Sequence, residues 1–250
     1  MQVLDWFFPR KCLHCGIEGS YICRSCFGEI DLIKKQCCPH CRKLNDDGCF
    51  CADKCARNFH FDQLIICLDY QKNSLFKKLL VQFKYRFSEE LTEVLGRIMK
   101  HTMAIFSHKF RGAVPLKSEL SPNREVGNAI ILIPVPLDPK RLKYRGFNQS
   151  LLLAKYLRKN FNDVVIPDCL KRSAAFDQQA KLDRKHRMEN LLNTISLDNS
   201  YKTSLRDKTV ILIDDVATTC ATLNECSRCL KEAGVKYVCG LVLARGKFDR

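Results

Sequence analysis

Uninterrupted apolar runs recur along this chain, and between them the apolar positions shift to a spacing of three and four. Ala129–Val135 is a run of the first kind and predicts a buried strand, Val210–Ile213 and Tyr237–Ala244 predict further strands, and Phe61–Tyr70 (FDQLIICLDY), apolar from Leu64 to Leu68, predicts another. Val164–Ile166 predicts a shorter strand. Leu75–Phe83 is apolar at helical spacing, with Lys77, Lys78 and Lys84 outside the stripe. Glu89–Phe106 carries Leu91, Leu95, Ile98, Met99 and Ile105 and predicts a second helix. Further helices are expected from Gln149 to about Leu157 and from Thr222 to Ala233, the latter stopped by Gly234. Residues 107–128 are polar, hold Pro115 and Pro122, and read as a loop. Residues 171–190 are charged and lack a clear apolar stripe. Alternating strands and helices predict the α/β class: a parallel sheet flanked by helices, with its ligand at the carboxyl ends of the strands.

The first 55 residues break this pattern. They hold ten of the 16 cysteines: Cys12-x2-Cys15, Cys23-x2-Cys26 and Cys38-x2-Cys41, with Cys37 directly before Cys38, then Cys49, Cys51 and Cys55. In a chain without a secretion signal, paired cysteines point to metal rather than to disulfides. Two such pairs bring four thiolates together, which is a closed tetrahedral zinc site. So small a segment buries too little apolar area to fold alone, so metal binding would supply folding free energy. Two structural Zn²⁺ ions are expected. Two ligand layouts are compatible with the spacing: separate sites, Cys12/15/23/26 and Cys38/41/51/55, or crossed ones, Cys12/15/38/41 and Cys23/26/51/55. Cys49 is an alternative to Cys51. His14 and His40 read as spacers, and Cys67, Cys169, Cys226 and Cys239 as small buried apolar residues. The composition change sets a Cys-rich zinc-ribbon module at 1–60 and an α/β domain at 61–250.

A chain of 250 residues that is 46% hydrophobic can build one sizeable core plus an appendage. Leu4–Phe8 lacks a charged leader and a small-residue cleavage site, and no run reaches the roughly 18 apolar residues of a membrane helix, so a cytoplasmic protein without membrane insertion is expected. The formal net charge of +15 favours polyanionic partners, either nucleic acid or phosphorylated metabolites.

The densest chemistry lies in Val210–Leu223 (VILIDDVATTCATL), where a strand runs into Asp214 and Asp215 and a Thr-rich turn precedes a helix. Paired carboxylates suit ribose hydroxyls. Backbone N–H groups and Thr hydroxyls at a helix N-terminus suit a phosphate. The segment resembles the phosphoribosyl pyrophosphate (PRPP) loop of type I phosphoribosyltransferases, with Cys220 where that pattern has Gly. A second motif, Ile133–Gln149 (IPVPLDPKRLKYRGFNQ), ends a strand in Pro134 and Pro136 and continues into Lys140, Arg141, Lys143 and Arg145, with Gly146 as a bend before a helix beginning near Asn148.

These segments, the cysteine module, and Arg172, Gln178, Gln179, Leu182, Arg184, Arg187 and Asn190 together resemble the ComF family of competence-associated proteins, in which a zinc domain precedes a phosphoribosyltransferase-like domain. The resemblance implies PRPP binding with Mg²⁺ at Asp214, Asp215, Ala217, Thr218, Thr219, Cys220, Ala221 and Thr222, the aspartates on the ribose hydroxyls and the loop on the 5′-phosphate. It places Pro136, Leu137, Lys140 and Arg141 towards the pyrophosphate and makes 171–190 a mobile cover. The family association and the charge together imply natural transformation and single-stranded DNA binding, with Lys143, Arg145, Arg184, Lys185 and Arg187 as DNA contacts, Tyr144 and Phe147 as candidate stacking residues, and other DNA-uptake or recombination proteins as partners. A different class of function fits the same loop: a phosphoribosyltransferase of nucleotide metabolism with an unidentified acceptor. A zinc-ribbon nucleic-acid binder with a degenerate enzyme fold is a third reading. No nucleophile or general base stands out.

Overall fold

The computed structural model describes residues 10–71, 74–85, 88–106, 131–161, 164–165, 168–173 and 193–246. The expectations for 107–128 and for Gln178, Gln179, Leu182, Arg184, Lys185, Arg187 and Asn190 lie outside the described residues. The N-terminal module contains α1 (Arg24–Gly28), the two-residue strands β1 (Gln36–Cys37) and β2 (Leu44–Asn45), and α2 (Asp53–Ala56). Beyond it come β3 (Gln63–Asp69), α3 (Ser74–Tyr85), α4 (Glu89–Phe106), β4 (Ile131–Pro134), α5 (Pro139–Arg145), α6 (Gln149–Phe161), β5 (Val164–Val165), β6 (Leu170–Arg172), β7 (Ile195–Leu197), a 3₁₀ turn at Asn199–Tyr201, α7 (Lys202–Leu205), β8 (Thr209–Ala217), α8 (Ala221–Glu232) and β9 (Tyr237–Arg245).

Five strands form one parallel sheet in the order β3-β9-β8-β4-β5. Side chains alternate across it, so each long strand feeds two cores. Ile65 and Cys67 of β3, Ile211 and Ile213 of β8, and Leu241 and Leu243 of β9 meet α3, α4 and α6 on one face. Leu64, Ile66, Val210, Leu212, Val238 and Val242 meet α8 on the other. That double burial is why these strands read as continuous apolar runs. The four cysteines expected to be buried, Cys67, Cys169, Cys226 and Cys239, are fully buried.

The zinc-ribbon module straddles the exposed edge of β3. Cys12, Ile22 and Cys26 join the core on the α4 side, whereas Phe50, Phe59 and Cys37 pack against the α8 side. The edge itself is closed by hydrogen bonds. Ile33 N–H donates to Cys67 O (2.9 Å), Leu64 N–H to Gly48 O (3.0 Å), and the buried Gln36 amide bonds both Ile66 N–H (2.8 Å) and Ile66 O (3.0 Å). An uncovered parallel edge strand would present a row of unpaired backbone groups, and the module removes it.

Three local expectations change. Residues 139–145, which carry no apolar stripe and precede the helix expected near Asn148, form a helix of their own, α5: the Asp138 carboxylate accepts N–H bonds from Lys140 (3.0 Å) and Arg141 (3.4 Å), Pro139 opens the first turn, and Gly146 closes it at φ 78°. Capping thus outweighs the lack of an apolar stripe, since none of its residues is buried. At the edges of 171–190, Leu170–Arg172 pairs antiparallel with Ile195–Leu197. The β8 strand does not end before the aspartates. It continues to Ala217 because β9 stays paired with it as far as Arg245.

Candidate functional site

The cysteines assemble into two separate groups, Cys12/Cys15/Cys23/Cys26 and Cys38/Cys41/Cys51/Cys55, each with its four sulfurs within 4.8 Å of one another. Tetrahedral zinc with Zn–S bonds of about 2.3 Å requires S···S edges of about 3.8 Å. Cys15–Cys23 (3.7 Å), Cys41–Cys51 (3.4 Å) and Cys51–Cys55 (3.6 Å) meet that demand. The crossed layout is excluded, and Cys49 instead bridges towards Gln63. The histidines are spacers: His14 faces Glu29 at 3.8 Å, and the His40 ring packs on Phe59. Both groups share one electrostatic design. Burial opposes ionisation of Cys12, but the backbone N–H groups of Cys15, Cys23 and His14 pull it down to about 6. The same conflict, with N–H groups from Cys41, Cys51 and His40, brings Cys38 to about 7. A ready thiolate in each group suits a cation that binds sulfur only as the anion.

The second site lies at the carboxyl ends of β4 and β8. From β8 the chain crosses through α8 to β9 on one side, and from β4 through α6 to β5 on the other, with the two helices on opposite faces. The chain therefore diverges between β4 and β8, and that is where a doubly wound sheet opens a crevice. β4 stops at Pro134, opposite Ile213, so Asp214–Ala217 extends past it beside the turn Val135–Asp138.

Asp214 and Asp215 are both half-buried here. Asp214 Oδ1 accepts from Ser150 Oγ (3.1 Å) and from Asp215 N–H (2.9 Å). Asp215 Oδ1 accepts from Val216 N–H (2.6 Å), while its Oδ2 faces Lys84 Nζ at 3.7 Å. Burial, reinforced by the charge of Asp215, pushes the Asp214 carboxyl up to about 7. Arg172 also reaches this region. It is half-buried, burial lowers its pKa against the pull of Asp138, and its Nε makes no hydrogen bond among the described residues.

The loop after β8 presents mostly backbone. Ala217, Cys220 and Ala221 bury their side chains, Thr219 and Thr222 are half-buried and Thr218 is exposed. Cys220 takes the left-handed conformation (φ 63°, ψ 11°) that the expected Gly would adopt freely, and its side chain does not cap α8. Thr219 Oγ1 accepts from Ala221 N–H at 3.3 Å. The N-cap residue of this 12-residue helix adds no side-chain bond to that of Thr219, and a helix N-terminus is suited to an anion. The second zinc knuckle braces this loop from behind. Arg42 donates to Gly246 O (3.1 Å), Gly246 N–H donates to Ala217 O (2.9 Å), and the Arg245 guanidinium reaches Pro39 O.

Pro136 and Leu137 are half-buried beside Asp214, whereas Lys140 and Arg141 lie exposed on α5. Lys143 is exposed as well, but Arg145 spends an N–H on Gln149 Oε1 (3.2 Å). Of the two candidate stacking residues, Tyr144 is 80% exposed and Phe147 packs on Phe83 with ring centres 6.5 Å apart. Two residues of the crevice, Lys84 and Ser150, are not assigned to it by sequence reasoning, whereas Arg172 falls in the 171–190 segment expected to cover it. Lys84 looks like any solvated cation beside a helical stripe. Its partner is 131 positions away (215 minus 84), and only the strand order brings them together.

Comparison with known proteins agrees with this layout. Residues 3–56 match the double zinc ribbon domain and residues 150–247 the phosphoribosyl transferase domain. Competence protein ComFC of Bacillus subtilis is 29% identical over 217 residues, 85% of this chain and 79% of that protein. Competence protein F of Haemophilus influenzae is 28% identical over 96% of this chain and 98% of its own, and ComFC of Streptococcus pneumoniae 28% over 94% and 100%. Among the described residues, no helix is long and apolar enough to cross a membrane.

Proposed function

This chain is ComF-like along nearly its whole length, a double zinc ribbon joined to a phosphoribosyl transferase domain, and we propose that it binds PRPP with Mg²⁺ in the crevice between β4 and β8 and single-stranded DNA on the adjoining basic surface, in the service of DNA uptake. The observation that carries the reading is the Asp214–Asp215 pair on the flank of β8 beyond the end of β4, followed by the Thr-rich turn into the N-terminus of α8. Asp214 and Asp215 would accept the ribose 2′ and 3′ hydroxyls. Backbone N–H groups of 218–222, with the Thr hydroxyls, would hold the 5′-phosphate. Pro136 and Leu137, with Lys140 and Arg141 of α5, would border the pyrophosphate. Mg²⁺, if bound with PRPP beside Asp214 and Asp215, would supply charge neutralisation. Lys84, 3.7 Å from Asp215 Oδ2, would help hold that side chain in place until ligand arrives.

If transfer occurs, C1 of the ribose loses pyrophosphate through an oxocarbenium-like state, and this chain's part is to orient the ribose and offset the leaving-group charge. An ionised Asp214 would accept a ribose hydroxyl more strongly than the neutral acid, so PRPP affinity should rise with pH through about 7. Calorimetry with PRPP and Mg²⁺ on zinc-loaded protein tests the reading. Wild type should bind, and Asp214→Ala/Asp215→Ala should not, with unchanged far-UV circular dichroism. Equal affinity in both would place the ligand elsewhere. PRPP-dependent release of pyrophosphate would favour the second function, a phosphoribosyltransferase with its own acceptor.

A further inference from the structure

At the rim of the crevice two exposed tyrosines meet. Tyr85, the last residue of α3, is 62% exposed, Tyr144 of α5 is 80% exposed, and their rings contact edge to face with centres 6.4 Å apart at 85°. Neither belongs to a core. Their positions are nonetheless fixed from beneath. Arg145, next to Tyr144, donates to the buried Gln149 (3.2 Å), whose Nε2 donates to Lys84 O (3.3 Å), next to Tyr85. Lys84 in turn reaches Asp215. The pair is therefore tied into the ribose-facing carboxylates by a short chain of contacts.

The surroundings are cationic. Helix α5 (PKRLKYR) carries Lys140, Arg141, Lys143 and Arg145 and no acid, and the first three are exposed. An edge-to-face pair leaves ring faces open to solvent, and open ring faces among cations are the elements of a single-strand site, the rings taking bases and the cations taking phosphates. A duplex hides its base faces within the stack, so a single strand is the occupant these rings select. We infer that Tyr85 and Tyr144 form a base-stacking platform for single-stranded DNA at the mouth of the PRPP crevice. This rests on the proposed binding of single-stranded DNA and names the residues that read its bases.

The test compares an oligothymidylate of about 12 nucleotides with an abasic strand of equal length, by fluorescence anisotropy on zinc-loaded full-length protein at physiological salt. Both strands carry the same phosphates, so a difference reports the bases. Wild type should bind the thymidylate about tenfold more tightly, within the range that base–aromatic stacking provides. Tyr85→Ala/Tyr144→Ala should lose that preference and keep its affinity for the abasic strand, and Tyr144→Phe should keep the preference. Equal, salt-sensitive binding of both strands by wild type would overturn the platform while leaving DNA binding intact. A preference that survives the double Ala variant would overturn it too. Binding of neither strand would remove both the platform and the DNA reading beneath it. Thymidine monophosphate competing as well as the whole strand would assign the rings to a free nucleotide and also overturn the proposal.

Discussion

Replacing Asp214 by Asn should make the ligand-free protein more stable while removing its capacity for PRPP. The Asp214 carboxyl, near 3.8 in an unfolded chain, is raised to about 7 in the fold, first by burial and then by Asp215. Between those values the native state holds a proton that the unfolded state has lost. Wild-type stability therefore falls as pH climbs from about 4 to 7, and the full penalty applies above 7. A shift of that size corresponds to about 4 kcal/mol. Asp214 keeps some contact with solvent, which reduces the figure to about 2 kcal/mol. Asn is neutral and near-isosteric, and its Oδ1 can accept the same two bonds from Ser150 Oγ and Asp215 N–H. In thermal unfolding of zinc-loaded protein without ligand, the Asn variant should melt about 5 °C above wild type at pH 8. At pH 5.5, where the wild-type carboxyl is largely protonated, the two curves should nearly coincide. Adding PRPP and Mg²⁺ should raise the wild-type midpoint and leave that of the variant unmoved. A variant less stable than wild type at pH 8, or a difference that does not change with pH, would refute the reasoning.

Elemental analysis of protein purified without chelator should find two zinc ions per chain. Because the module contributes Cys12 and Cys26 to one sheet core and Phe50 and Phe59 to the other, stripping the metal should lower the melting temperature of the whole chain; a separately melting N-terminal unit over an unchanged sheet would contradict this. Cys220→Ala keeps the left-handed backbone and loses a buried sulfur, so it should be less stable than wild type. Cys220→Gly instead relieves about 1–2 kcal/mol of backbone strain, so a Gly variant melting below the Ala variant would show that no strain is held there. Gly96→Ala would set a Cβ 2.3 Å from the Tyr156 ring, where α4 and α6 cross, and should destabilise by about 1–3 kcal/mol in chemical denaturation; an unchanged midpoint would mean that the ring moves aside freely.

The elements that bury a face were legible in the sequence, because burial writes itself as period: β3, β4, β8 and β9 as unbroken apolar runs, α3, α4 and α8 as stripes. The thiolate pairs were equally plain, since two residues of spacing already place both sulfurs on one ion. So was the carboxylate pair before a helix, a signal local to one strand and one turn. The short helix α5 was missed because capping by Asp138, Pro139 and Gly146 makes it, and no apolar face marks it. The choice between separate and crossed zinc layouts also lay beyond the sequence. Both satisfy the same spacing, and only the folded module, with Cys12 and Cys26 in the core on the α4 side and Phe50 and Phe59 against the α8 side, separates the two sulfur groups. The same holds for Lys84 on Asp215 and Ser150 on Asp214, and for the meeting of Tyr85 with Tyr144. Each joins residues far apart in the chain, and their encounter depends on strand order and helix placement, quantities that a one-dimensional pattern of burial does not contain.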